Sequence, residues 1–275
     1  MSVIAIIGAG ALGGALAHKL AGRSRVREVR LIDAEEAVAR GKALDIVQSG
    51  PVEGFNTVLN AYGSVHAAAG ADVVVFADMA GGAEHSGEAA LALARQVKAA
   101  GAAAPLLFAG TTQRELMSRC STELHIHSSR LIGSAPLALA ASLRALCAVV
   151  LDGSAVEISL NVAGVPPRSV VVAWQEASVS GQPLPAVMAA HDITGLSARV
   201  ASLWPPGPYA LASAGARVAE ALCLGSRRQY SCFVDLGRGR IAAMPVELER
   251  GGIRRVIDPT LTRQELTALQ NAIED

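Results

Sequence analysis

Three glycines spaced as GxGxxG, Gly8, Gly10 and Gly13, lie between an apolar run and a helix-forming stretch. An acid, Asp33, follows at the separation of roughly twenty residues that dinucleotide chemistry uses. The first glycine permits a tight turn, the second lets backbone approach a pyrophosphate, and the third lets helix pack on strand. The unpaired N–H groups and positive dipole end of the helix then face the phosphates. Ala11 and Leu12 complete the turn, and Ala77 ends a second apolar run. Asp33 is suited to accept both hydroxyls of a ribose and would repel a 2′-phosphate, which selects NAD over NADP. A glycine-rich turn also serves plain packing, and an acid at this point also serves as a turn or helix-cap residue. The flanking strand and helix favour the nucleotide reading. The expected contacts are therefore Gly8, Gly10, Ala11, Leu12, Gly13, Asp33 and Ala77.

The elements that must position these residues are visible as alternating patterns. Strand-like runs at 3–7, 28–33, 58–62, 71–77 and 105–109 are separated by helical stretches at 11–20, 37–48 and 87–100, with Gly22 ending the first helix. Continuous apolar strands are those covered on both faces, and their alternation with helices implies right-handed crossovers in a doubly wound parallel sheet. From about residue 151 the texture changes. Runs at 156–162 and 170–174 are β-rich, with a turn at 180–183 and a helical stretch at 191–203. The breaker PPGP at 205–208 precedes a helix at 209–224, strands at 231–236 and 241–246, and a polar-capped helix from Thr262. The expected organisation is an α/β nucleotide-binding domain over 1–150 and a smaller α+β domain over 151–275.

Composition excludes several classes of function. Of 275 residues, 51% are hydrophobic and 17% charged, which requires a folded chain with a large core. Lys+Arg and Asp+Glu both number 24, so nothing favours electrostatic capture of nucleic acid or an acidic membrane. Cys120, Cys147, Cys223 and Cys232 show neither CxxC pairing nor metal-ligand spacing, and read as buried thiols in a reducing compartment. The amino terminus lacks a basic leader. The longest apolar run, 131–151, contains Gly133, Pro136 and Arg144, which argues against a membrane span. A cytoplasmic location is expected, with no metal.

Further segments extend the pattern: GAGALGGALA at 8–17, LID at 31–33, GKALD at 41–45 and ADVVV at 71–75. LIGS at 131–134, ASVSGQPL at 177–184 and PVELERGGI at 245–253 follow in order. In this ordered set the chain resembles the lactate/malate dehydrogenase family. The resemblance implies a Rossmann-type doubly wound sheet followed by a smaller α+β domain, NAD as cofactor, and assembly as a homodimer or tetramer. It also implies hydride transfer between the nicotinamide and a 2-hydroxy acid. That chemistry needs a histidine acid/base, an aspartate to orient it, and arginines to clamp the substrate carboxylate.

Those residues are missing. The family's GEHGDS segment falls on residues 164–169, which puts Pro166 at the histidine position. Its DxAR segment falls on 139–142, with Leu139 for the aspartate and Ser142 for the clamp arginine. The arginines of its mobile loop fall on Gly81 or Gly82 and on Gly87 or Glu88, and its TNP turn becomes Gly110, Thr111 and Thr112. No arginine lies between residues 41 and 94, no aspartate between 79 and 151, and no histidine between 128 and 190, so no slip of register restores the set. The family's Ala-Gly after the fourth strand is Asp78 and Met79, which places side chains and a negative charge beside the phosphate site.

Other groups are weighed as replacements. His85, between Glu84 and Glu88, would be a relocated acid/base, against the blander reading of a solvated loop histidine. His125 and His127 alternate as on a short strand and read as surface residues rather than metal ligands. Asp192, after His191, reads as a cap-region acid. Arg144 stands at the second arginine of the family's RFR triplet and reads as structural, and Trp174 and Trp204 read as core anchors. The reading is an NAD-binding relative without the family's dehydrogenase activity, serving as a sensor, a regulator or a partner of an active paralogue. The alternatives are an oxidoreductase using His85, Glu84, Glu88 or Thr111 on another substrate, and a structural subunit with a vestigial nucleotide site.

Overall fold

Strands without a polar face must be covered on both sides, and the chain meets that demand with helices on either side of one central sheet. The computed structural model describes residues 2–101 and 103–274. The first half runs β1 (Ser2–Ile7), α1 (Ala11–Ala21), β2 (Val26–Ile32), α2 (Glu36–Glu53), β3 (Val58–Tyr62) and β4 (Val73–Phe76). It continues through α3 (Gly87–Ala99), β5 (Leu106–Phe108), α4 (Arg114–Thr122), β6 (Leu131–Gly133) and α5 (Ala135–Val150). Parallel ladders order these strands β3-β2-β1-β4-β5-β6. This is the Rossmann order, whose ligand crevice opens where the order reverses, between β1 and β4. Gly8 follows β1 directly, and Asp78 lies two residues beyond β4.

The second half contains β7 (Ile158–Ser159), β8 (Val162–Val165), β9 (Ser169–Val172), β10 (Ser178–Val179), β11 (Gln182–Pro183) and a one-turn α6 (Leu184–Val187). It ends with α7 (Ala190–Arg199), α8 (Pro208–Leu224), β12 (Ser226–Asp235), β13 (Ile241–Glu249), β14 (Gly252–Val256) and α9 (Arg263–Glu274). β12 pairs antiparallel with β6, and β13, β8 and β9 carry the same sheet onward. β7, β10 and β11 form a small separate sheet. The expected turn after residue 179 is its hairpin, with Ser180 and Gly181 at φ 49° and 80°, the mirror-image turn that suits strand twist.

Several expectations change in detail. α2 runs to Glu53 rather than residue 48, past Pro51, and stops where Gly54 takes φ 79° and donates to the Gly50 carbonyl at 2.8 Å. The β-rich run at 156–162 divides into β7 and the start of β8, leaving Val156 exposed. The apolar run at 131–151 resolves into β6 and α5. α4 went unread because its buried residues are only Leu116, Met117 and Cys120 in an otherwise polar stretch. His125 is not on a strand, since it takes a left-handed φ of 50° between α4 and β6. Among the described residues no helix is long and apolar enough to cross a membrane, and no group of His, Cys, Asp or Glu forms a metal-ligand cluster.

The main core lies along both faces of the sheet, with β1, β4 and β5 buried throughout and the Phe76 and Phe108 rings stacked at 5.4 Å. Alanine is abundant where α8 meets α1: Ala212, Ala216 and Ala219 are fully buried, and a side chain at Gly215 would press on Leu16. Burying a residue such as Leu16 contributes about 1.5–3 kcal/mol. An exposed helical pair such as Glu36–Arg40 contributes about 0.3–0.5 kcal/mol, so apolar burial decides the architecture. A second cluster joins Leu139, Leu143 and Cys147 of α5 to Val162, Val172, Trp174 and Leu196. There the Trp174 indole donates to Ser197 Oγ at 2.8 Å, and Arg144 donates to the Ala155 carbonyl at 2.8 Å, the core and structural parts read for them.

All four cysteines are free and buried. Burial pushes the Cys120 thiol up to about 12 and Cys147 to about 11, and raises Cys223 and Cys232 as well. Thiolates are the reactive species, so these groups are inert in the native state. A disulfide-exchange reagent at mildly alkaline pH is expected to label none of the four within minutes and all of them after denaturation. Rapid labelling of the native protein would contradict this burial.

Candidate functional site

The glycine turn is built as a turn that side chains cannot enter. Gly8 takes φ 115°, and a Cβ there would overlap the Asp78 carbonyl. A Cβ on Gly13 would overlap the Gly8 carbonyl, so this glycine permits α1 to pack against β1. Gly10 is the helix N-cap and brings no side-chain acceptor, although its own N–H donates to the Asp78 carbonyl at 2.9 Å. A Cβ on Gly10 would overlap the Asp78 carboxylate. The space that this glycine clears is filled by a side chain of the same chain.

Asp78 is the centre of the arrangement. Its carboxylate accepts from Leu12 N–H at 3.0 Å and from Gly13 N–H at 2.8 Å, one oxygen to each, and the residue is only 6% exposed. These amides belong to the first turn of α1, where helical N–H groups lack internal partners and a negative charge is favoured. Asp33, at the end of β2, is equally engaged. Its Oδ2 accepts from Ala9 N–H at 2.8 Å and Ala80 N–H at 2.9 Å, and its Oδ1 from Glu35 N–H at 3.0 Å. It thus acts as the turn-capping acid of the blander reading and also as a clasp on the segment after β4. Ala77 is buried and spans between β1 and α4, its N–H donating to the Ile7 carbonyl at 2.9 Å and its carbonyl accepting from Gln113 at 3.1 Å. Ala11 is exposed and lines a cavity of 410 Å³ with Gly14, Lys42, Asp45 and Tyr209. Lys42 Nζ donates to the Gly10 carbonyl at 2.6 Å, steadying the turn from α2.

The segment after β4 folds back over this crevice. Asp78 and Glu84 form an antiparallel bridge, closed by a turn in which Met79 N–H donates to the Ala83 carbonyl and Gly82 takes φ 89°. The Glu84 carboxylate accepts from the backbone and hydroxyl of Thr111, at 2.8 and 3.2 Å, and from those of Thr112, at 2.7 and 2.6 Å. His85 contradicts the expectation of a solvated loop histidine: it is 8% exposed and sits edge-on to Phe76 at 6.1 Å. Burial holds its imidazole below the ordinary histidine range, while Asp33, Asp78 and a bond to the Ile7 backbone pull the other way. Its Nε2 finds no hydrogen-bond partner among the described residues.

Sequence reasoning found Asp78 as a charge out of place but not as the cap of α1. The available signal was an acid placed directly after the strand that faces the glycine turn. The other candidates of this region are occupied as well, with Glu88 bound to Arg119 at 2.5 Å. At the three positions that the resemblance assigns to the catalytic set, Leu139 is fully buried, the Ser142 hydroxyl donates to the Ala138 carbonyl at 3.1 Å, and Pro166 is buried next to a cis peptide bond to Pro167.

A dinucleotide needs the amides of the glycine turn for its pyrophosphate and the Asp33 carboxylate for its ribose. The Leu12 and Gly13 amides are taken by Asp78, and Ala80 N–H holds one of the acceptor sites of Asp33, so the glycine turn does not fit the pyrophosphate in this conformation.

Comparison with known proteins gives the lineage. Residues 2–119 match the family model described as lactate/malate dehydrogenase, NAD binding domain, and NAD is the cofactor of that domain. Along nearly its whole length the chain is similar to two malate dehydrogenases. That of Chlorobium phaeobacteroides is 27% identical, over 98% of this chain and 94% of that protein. That of Thermomicrobium roseum is 28% identical over the same shares. In fold it is similar to the minor L-lactate dehydrogenase of Enterococcus mundtii, with a TM-score of 0.87 at 19% identity, over 99% of this chain and 95% of that one. With its Rossmann strand order, its glycine turn and these matches, the chain belongs to the lactate/malate dehydrogenase family.

Proposed function

We propose that this chain is an NAD-binding member of its family that does not carry out 2-hydroxy acid dehydrogenation, and that it serves as a sensor, a regulator or a partner subunit. Leu139 carries the reading: where an aspartate would orient a catalytic histidine, a leucine is fully buried among Leu143, Cys147, Val162 and Trp174. The histidine position holds Pro166, which has no proton to move, and the clamp position holds Ser142, whose hydroxyl is spent on its own helix. A positioned acid/base supplies about 10²–10⁴-fold in rate. Each charge-assisted bond from a missing arginine adds about 1.5–3 kcal/mol. The side chains of the segment after β4 do not replace them. Glu84 is held by Thr111 and Thr112, Glu88 by Arg119, and His85 is enclosed.

The four reduced, buried thiols support a cytoplasmic setting. Assembly as at least a dimer belongs to the same proposal, supported by Leu44, Val47 and Val52, which α2 leaves exposed.

Three outcomes follow from this reading. NADH oxidation with oxaloacetate, pyruvate and a panel of other keto acids, ketones and aldehydes is expected to stay at the buffer rate; turnover of any of them would defeat the proposal. Leu139→Asp is expected to destabilise the fold by about 3–5 kcal/mol in chemical denaturation, because it buries a charge with no partner, and to restore no activity. Light scattering on an eluting column is expected to give a mass of at least two chains, and a monomer at micromolar concentration would remove the oligomer from the proposal.

A further inference from the structure

The geometry points to a latch: residues 78–85 fold into the dinucleotide crevice and hold the groups that a pyrophosphate and a ribose would use, so NAD binds only when this segment swings out. The inference rests on the NAD-binding reading above and adds the step that controls it. Three contacts make the latch. The Asp78 carboxylate takes the Leu12 and Gly13 amides with one oxygen each, and stands in the space that Gly10 leaves open. Ala80 N–H takes Asp33 Oδ2, an acceptor that a ribose hydroxyl would need. Glu84 fastens the far end to Thr111 and Thr112 with four hydrogen bonds.

Two anions cannot share one pair of amides, so nucleotide and carboxylate are alternatives. Asp78 competes as a tethered group, with an effective concentration in the millimolar range or above. The apparent dissociation constant of NAD is then its intrinsic value divided by the fraction of molecules with the segment open. The hold is polar and local, which is the construction of a segment able to open without unfolding the domain. Between its two anchored ends Gly81 and Gly82 are exposed and a Cβ on either would meet nothing, so the turn itself is not packed in place. Asp78 and His85 are the buried side chains of the segment that opening would expose to water.

The test is NADH titration of the wild type, Asp78→Asn and Glu84→Gln, with hydrogen–deuterium exchange over residues 79–86 and a thermal melt to check folding. Asp78→Asn keeps the shape and removes the charge, while Glu84→Gln loosens the far end without touching the α1 amides. Both are expected to tighten NADH by about tenfold or more, and NADH is expected to raise exchange over 79–86 in the wild type. Binding by a variant where the wild type shows none would also support the latch. Four results would overturn it: unchanged or weaker binding in both variants, no binding by any form, a gain in Asp78→Asn alone without raised exchange, or protection of 79–86 by NADH. Keto-acid turnover would defeat the proposed function and leave these binding readouts standing, so the two failures are distinguishable.

Discussion

The contact on which the crevice depends is that of the Asp78 carboxylate with the first turn of α1. A helix that begins at the centre of a sheet presents buried N–H groups, and a buried donor without a partner costs about 1–3 kcal/mol. The N-cap residue, Gly10, brings no side chain to satisfy them. An acid 65 and 66 residues further along the chain does so instead, through Gly13 and Leu12. This one placement explains the neighbouring geometry. It sets the direction in which the chain leaves β4, aligns the Asp78 carbonyl with Gly10 N–H, and excludes a side chain at Gly8 or Gly10.

The carboxylates of the crevice are balanced without cations. Asp33 accepts from three backbone amides, Asp78 from two, and Glu84 from two amides and two hydroxyls. The polar oxygens of these acids are thus satisfied by fixed backbone and hydroxyl dipoles rather than by arginine. The imidazole of His85 fits this scheme as a neutral ring, since burial lowers its affinity for a proton. The segment that closes the crevice brings no cation of its own, there being no arginine between residues 41 and 94 and no lysine between 43 and 97.

The scaffold was legible because it rests on local patterns. The runs that became β1 and β4 are apolar throughout, and α1 stops at the expected Gly22. The final helix opens with the capping box promised by Thr262, whose hydroxyl and the Glu265 carboxylate each take the other's backbone N–H. The site was legible in identity and not in connection. Nothing local links Asp78 to Leu12, Ala80 to Asp33 or Glu84 to Thr111, since each pair is brought together only by sheet order. His85 misled for the same reason, because a histidine among glycine, alanine and acids reads as solvated until the bridge between Asp78 and Glu84 folds it inward. α4 escaped for a different reason, its buried face being too short to show a period.

The composition of the segment after β4 and the closed crevice are physically connected. Burying a guanidinium against this part of the sheet would cost several kcal/mol unless one of the crevice carboxylates paired with it. Here the equivalent segment consists of Met79, Ala80, two glycines and Ala83, followed by one acid and one neutral histidine. Those residues are small enough to turn tightly, and their polar groups find backbone partners at Asp33, Thr111 and Thr112. The small residues of this segment are what let it turn back over the glycine turn. The same segment thus fills the space beside Gly10 and ties Asp33 on one side of the crevice to Thr111 and Thr112 on the other.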